Sequence, residues 1–97
     1  MIYEWDESKR QTNQRKHRVD FAIVEAFEWE NSVSHEDDSA RYGEVRIVSI
    51  GPIGPKLYVL MWTEPDDDDV VRVISLRPAD KRERKLHEKG FQKKTHH

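Results

Sequence analysis

His17 is the strongest titrating candidate in the chain. It closes a polar segment beside Lys16, and a neutral imidazole can give or take a proton near pH 7. The plainer reading is a cation capping a helix C-terminus. Lys9 and Lys16 lie seven residues apart with Asn13 between them, so on a helix the three share nearly one face. That stripe suits contact with phosphate, or it is simply solvated. Arg46, Arg72 and Arg77 fall on or at the ends of strand-like segments. A guanidinium in a sheet is costly unless it is paired or aimed at a ligand. Glu44 shares a face with Arg46 in a regular strand, so an ion pair is the bland alternative. Arg72 and Arg77 are five apart and face opposite sides of a regular strand. Both reach one phosphate only if Arg77 lies past the strand end, which Pro78 allows. These groups offer proton transfer near neutral pH beside fixed positive charge.

Other chemistries lack their residues. The chain has no cysteine, which removes disulfides, thiolate nucleophiles and cysteine-based zinc sites. There is no HExxH, P-loop, GxSxG or GxGxxG, so no metal or cofactor is expected. Asp66 to Asp69 lack the glycine and terminal glutamate of a calcium loop and read as a hairpin tip. His35 sits in an acidic stretch with no partner at ligand spacing and reads as surface.

The net charge of -2 over 97 residues hides an asymmetry. Residues 1–30 carry -2, residues 31–70 carry -6 and residues 71–97 carry +6. A basic end on an acidic body suggests a polyanion-binding surface, unless the end is only a solvated helix face. Charged residues make up 37% and apolar ones 35%, enough for one modest core. No apolar run approaches the roughly 20 residues of a membrane helix, and charge from Glu4 onward argues against a signal peptide. A cytoplasmic protein with no membrane partner is the expectation.

The elements that must position these groups follow from pattern. Residues 2–5 suit a short strand. Asp6 reads as the N-cap of a polar helix over 7–17, which has no apolar stripe and would be held by its ends. Asp20 reads as a second N-cap, flanked by Val19 and Val24 at the positions of a hydrophobic staple. The helix it starts, 21–30, shows a wide apolar face of Phe21, Val24 and Phe27 that would cover a sheet. Beyond 31 the period becomes two. A polar alternating stretch leads to strands over 42–51, 57–63 and 70–76, separated by turns at 51–55 and 65–69. The strand 57–63 is apolar on both parities and should be buried on both faces. Short connections make the three an antiparallel meander. Residues 79–89 form a basic helix ending before Gly90 as its C′ residue. Residues 91–97 read as a frayed tail outside a single domain over 1–90, with His96 and His97 an added remnant. The expected class is α+β: two N-terminal helices, an antiparallel sheet of three to four strands and a C-terminal helix.

Four segments resemble one family. The opening YEWDESK…N…KH, carrying Trp5, Asp6, Lys9, Asn13, Lys16 and His17, is similar to the N-terminal signature of the BrnT toxins. Val19 and Phe21 fit the continuation, while Arg18 stands where the family has glycine. YGEVRIVSIG resembles the family's strand with Tyr-Gly-Glu and a following Arg. LYVLMWTE resembles its central strand, and RVISLRPADKRERKLHE its C-terminal signature, with His87 where tyrosine is more usual. The match runs in register over about residues 3–88. The resemblance implies a RelE-like ribonuclease fold and a bacterial type II toxin. It implies cleavage of RNA without metal, with His17, Glu44, Arg46, Arg72 and Arg77 as catalytic candidates. Lys9, Asn13, Lys16, Lys81, Arg82, Arg84 and His87 are the candidates for holding RNA. His87 could instead be a wall residue over the sheet. The resemblance further implies a BrnA-like antitoxin that binds operator DNA, so that this chain meets DNA only indirectly, and a heterotetramer of the two proteins. An acidic or amphipathic antitoxin segment would lie near the basic helix. Two alternatives stand beside it: a non-catalytic module that binds nucleic acid or protein through the basic helix, and a degenerate toxin that binds its antitoxin without cutting.

Overall fold

The computed structural model describes residues 1–37, 45–65 and 69–95, with side chains described as far as Gly90. Glu44, Asp66 to Asp68, His96 and His97 lie outside the described residues, so the readings of those residues do too. Along the chain run β1 (Ile2–Glu4), α1 (Glu7–His17), two 3₁₀ segments (Phe21–Ala26 and Trp29–Asn31), β2 (Val33–Asp37), β3 (Arg46–Ile53), β4 (Lys56–Thr63), β5 (Val70–Pro78) and α2 (Lys81–Thr95). The architecture is α+β, built on a five-stranded sheet in the order β1-β5-β4-β3-β2. β2 through β5 are antiparallel neighbours, as the alternating pattern predicts, but β1 joins β5 in parallel and makes the sheet mixed. Three contiguous strands of sequence could not reveal a partner contributed by the N-terminus.

Asp6 caps α1 as expected: its Oδ1 accepts from the Ser8 amide at 2.8 Å. The helix is not held only by its ends. β1 pairs with β5 only over Val70 to Arg72, which leaves the rest of that sheet edge without a strand neighbour. Asn13, buried mid-helix, takes the vacant place. Its side-chain nitrogen donates to the Leu76 carbonyl at 2.7 Å and to the Val19 carbonyl at 3.0 Å, and its oxygen accepts from the Leu76 amide at 3.1 Å. A single amide side chain thus imitates a paired strand and closes a sheet edge that would otherwise expose its donors and acceptors. At the other end, Arg18 adopts φ 58° and ψ 33° and returns its amide to the Gln14 carbonyl. A left-handed helix cap favours glycine, so the departure to arginine here carries roughly 1 kcal/mol of backbone strain.

The expected helix over 21–30 is instead two 3₁₀ segments, with Phe27 extended between them. The physical reason lies in the spacing itself. Phe21, Val24 and Phe27 recur at intervals of three, which aligns on a three-residue turn and drifts on a 3.6-residue one. Asp20 does cap the first segment, accepting from the Ala22 amide at 3.0 Å, and Arg10 ties the same carboxylate back to α1. These apolar residues pack with Leu60, Val73 and Leu76 on one face of the sheet. Tyr3, Trp5, Trp29 and Trp62 rim that core, and the Trp29 and Trp62 indoles donate to the Tyr3 hydroxyl and to Ser49. β4 is the central strand, and its adjacent Val59 and Leu60 are buried on opposite faces, as its doubled apolar parity requires.

Several boundaries move. Only Gly54 and Pro55 lie outside the strands in the expected five-residue turn, because Ile53 pairs with Lys56. Gly54 has φ +60° and proline fixes a negative φ after it, the pattern of a II′ hairpin turn. Pro52 sits inside β3 but past the end of β2, so its missing donor breaks no ladder bond. The described part of β3 begins at Arg46, and residues 42–44 of the expected strand lie outside the described residues. α2 starts at Lys81 and runs through Gly90 to Thr95 rather than stopping at Gly90. That glycine serves close packing: a Cβ there would come within 2.5 Å of a Val33 methyl.

Candidate functional site

The sheet's second face carries the candidate arginines, and a bulge puts them there. Met61 pairs with Ser75 but Trp62 pairs with Val73, so Ile74 is an extra residue in β5. The extra residue resets the alternation. Val73 and Leu76, three apart, both enter the core. Arg72 and Arg77, five apart, both point to the opposite face. The expectation that they oppose each other holds only for an unbroken strand. They are separated by about four strand rises, roughly 13 Å, so they suit neighbouring phosphates rather than one.

One row of this second face crosses all five strands. The register runs Asp37, Arg46, Thr63, Arg72, Glu4. Arg46 and Arg72 flank the buried Thr63 at two strand spacings, about 10 Å. Arg72 gives its Nε and a terminal nitrogen to Glu4 Oε1 at 2.8 and 2.7 Å. Arg46 is half-buried and forms no hydrogen bond or ion pair with another described residue. Among the described residues it is the strand guanidinium without a partner. Arg77, by contrast, is engaged twice by Glu83 in the first turn of α2, at 2.7 Å for each contact. These hydrogen bonds hold the Glu83 carboxyl below the usual range and the Arg77 guanidinium above it. Glu83 also accepts from the Asp80 amide at 2.9 Å while Asp80 accepts from the Glu83 amide at 2.8 Å, a reciprocal capping box. One carboxylate therefore joins helix start to strand end. The Asp80-x-x-Glu83 spacing carried that signal in the sequence.

α1 lies beside this face. A groove of about 290 Å³ is lined by Ser8, Lys9, Lys16, His17 and Ser75. A second groove of about 460 Å³ adjoins it, sharing Lys9 and Ile74 and reaching Trp5, Asp6 and Arg72. The structure therefore gathers Lys9, Lys16, His17 and Arg72 along the junction of α1 and β5. Asn13 lines the smaller groove, but both its amide protons are committed to backbone carbonyls. The α2 candidates are placed elsewhere. Lys81, Arg82 and Arg84 are exposed and line neither groove, and Arg84 donates to the Ala79 carbonyl. His87 is half-buried, with Nε2 at 2.7 Å from the Asn31 carbonyl. Among the described residues no group of three or more histidine, aspartate or glutamate side chains could hold a metal ion.

Sequence reasoning did not single out Thr63, or Glu4 as the partner of Arg72. Their signals are registers, which no single strand reveals. Among the described residues no helix is long and apolar enough to cross a membrane.

Comparison with known proteins adds one finding. The model of a family described as the ribonuclease toxin BrnT of a type II toxin–antitoxin system matches residues 5–83. No curated protein matches the chain.

Proposed function

The chain belongs to the BrnT family of type II toxin–antitoxin ribonuclease toxins, and from that premise we propose a metal-independent endoribonuclease that restrains growth until an antitoxin neutralises it. The fold is then a RelE-like one. The observation that carries the reading is the gathering of Lys9, Lys16, His17 and Arg72 along two adjoining grooves that share Lys9, with Arg46 on the same face of the sheet as Arg72.

Cleavage of RNA without a metal needs a base, fixed positive charge and an acid. The 2′-oxygen attacks phosphorus as its proton passes to the base. The bond to the 5′-oxygen breaks, and the acid returns a proton to that oxygen. The products carry a 2′,3′-cyclic phosphate and a 5′-hydroxyl. His17 moves one of these protons. Arg46 and Arg72 stabilise the charge that builds on the phosphorane, with Thr63 between them. Arg77, held by Glu83, faces the next phosphate. Lys9 and Lys16 hold the RNA backbone, and Lys81, Arg82 and Arg84 extend the positive field along α2. Glu44, which lies outside the described residues, remains a candidate acid or base.

The partner is a BrnA-like antitoxin whose acidic or amphipathic segment covers the basic face. It binds operator DNA as a dimer and so forms a heterotetramer with two toxins, acting in the cytoplasm. A second reading keeps α2 as a non-catalytic binding element; the exposed Lys81, Arg82, Arg84, Lys85 and Lys89 favour it. Incubation of the purified protein with RNA in EDTA separates the two. Cleavage should occur and fall at least about tenfold in His17→Ala and in Arg46→Ala. Binding without cleavage under every condition would leave only the second reading.

A further inference from the structure

The larger groove holds more than phosphate contacts. Its lining residues include aromatic Trp5, the cationic Lys9 and Arg72, and the acidic Glu4 and Asp6. Trp5 is half-buried, and its ring meets Phe21 edge-on at 5.9 Å, so the indole is braced by the core while it still walls the groove. An aromatic face beside two cations suits a flat ring attached to a phosphate backbone, because every nucleobase has a stackable face. The two carboxylates narrow the choice. Glu4 uses only Oε1 for Arg72. The Ser8 side-chain and backbone donors hold the Asp6 carboxyl below its usual range, so it stays ionised at neutral pH. An ionised carboxylate accepts and never donates. It therefore favours a base edge that presents an amino group, with two N–H donors, over uracil, whose edge offers one imino N–H between two carbonyls that the carboxylates repel.

We propose that the groove between the end of β1 and α1 is a nucleobase subsite, in which Trp5 stacks a base carrying an exocyclic amino group and Glu4 and Asp6 accept from that group. Adenine, cytosine and guanine carry that group; uracil lacks it and keeps only its N3 imino donor, so it binds more weakly. This assignment rests on the ribonuclease reading and adds a base preference to it. Lys9 and Arg72 then meet the phosphate attached to the selected base.

Mononucleotides test the subsite without requiring cleavage. The indole N–H resonance that disappears in Trp5→Phe identifies Trp5 by NMR. Titration with AMP, CMP or GMP should move that resonance, and UMP should bind at least about fivefold more weakly than each of them. Trp5→Leu, which keeps apolar bulk against Phe21, should weaken AMP binding at least about fivefold, whereas Trp5→Phe should retain most of it. Asp6→Asn keeps a capping oxygen but adds a donor, and should narrow the gap between UMP and AMP. On RNA, the same Trp5→Leu variant should raise KM more than it lowers kcat. Equal binding of all four nucleotides, or no difference between Trp5→Leu and Trp5→Phe, would overturn the subsite. Cleavage of RNA that shows no base preference at any position would overturn the subsite while leaving the ribonuclease. Nucleotide binding with the expected preference but no cleavage would uphold the subsite and remove the ribonuclease.

Discussion

The two faces of the sheet are built by opposite means. One is sealed by the 3₁₀ segments, where Phe21, Val24, Leu60, Val73 and Leu76 exclude solvent and the Trp29 and Trp62 indoles have their donors satisfied. The other carries a smaller cluster of Ile50, Val59 and Ala79 beneath α2 and leaves a row of charged and polar residues beyond it. α2 turns only Glu83, His87 and Gly90 toward the body within its described side chains, a single narrow stripe. The same strands thus serve stability on one side and charge on the other. The lesson is that alternation along a strand separates the two tasks residue by residue, so that each face can change without rebuilding the other.

The sharpest way to break that division is to open the sealed face. Phe21→Ala should cost about 3–5 kcal/mol in urea unfolding, because a fully buried ring leaves a cavity that the 3₁₀ backbone cannot fill. Asn13→Ala comes next, at about 2–3 kcal/mol, since it leaves the Leu76 amide and carbonyl and the Val19 carbonyl without their partner. Its amide proton exchange at Leu76 should rise together with the loss of stability. A loss confined to RNA binding would mean that Asn13 belongs to the open face instead.

On the open face the effects on folding should be smaller. Glu83→Gln removes the charged partner of Arg77 and should cost about 1–2 kcal/mol at pH 7. The pH dependence has a definite sign. The Glu83 carboxyl is lowered in the fold, so its contribution is fully present above the ordinary glutamate pKa of 4.5. It is lost as the pH falls through the lower folded value. Thermal melts should therefore show the wild type and Glu83→Gln converging in acid and separating above it. Arg72→Ala should change stability least, by less than about 1 kcal/mol, because its pair with Glu4 is half-exposed. It should nevertheless lower RNA cleavage at least about tenfold. A large stability loss with no change in cleavage would erase the contrast between the faces.

Much of this was legible in the residues. The caps at Asp6 and Asp20, the span of α1 and the central strand all follow from local chemistry, while β5 runs past the expected 76 and takes Arg77 into the strand before Pro78 ends it. Side-chain oxygens, doubled apolar parity and proline act within a few residues of themselves. The families of residues in the site were legible too, through charge and through the resemblance to known toxins. Their grouping was less so. Lys9, Lys16 and His17 share a helix and were found together. Arg72 and Arg77 oppose each other only on a regular strand, and Ile74 bulges because β5 must match β4. Helical spacing puts Asn13 on the polar stripe of Lys9 and Lys16, yet its amide docks against a sheet edge.

By itself, then, the sequence determined the elements, their caps, the polarity of each face and the family to which the chain belongs. These are set by interactions among neighbours and by the hydrophobic period. Only the tertiary structure decided the parallel pairing of β1, the 3₁₀ path over the core, the bulge at Ile74 and the row from Asp37 to Glu4. Each of these depends on register between segments far apart in the chain, and a shift of one residue there sends a side chain to the other face. The position of the arginines is accordingly a property of the assembled sheet, whereas their presence is a property of the chain.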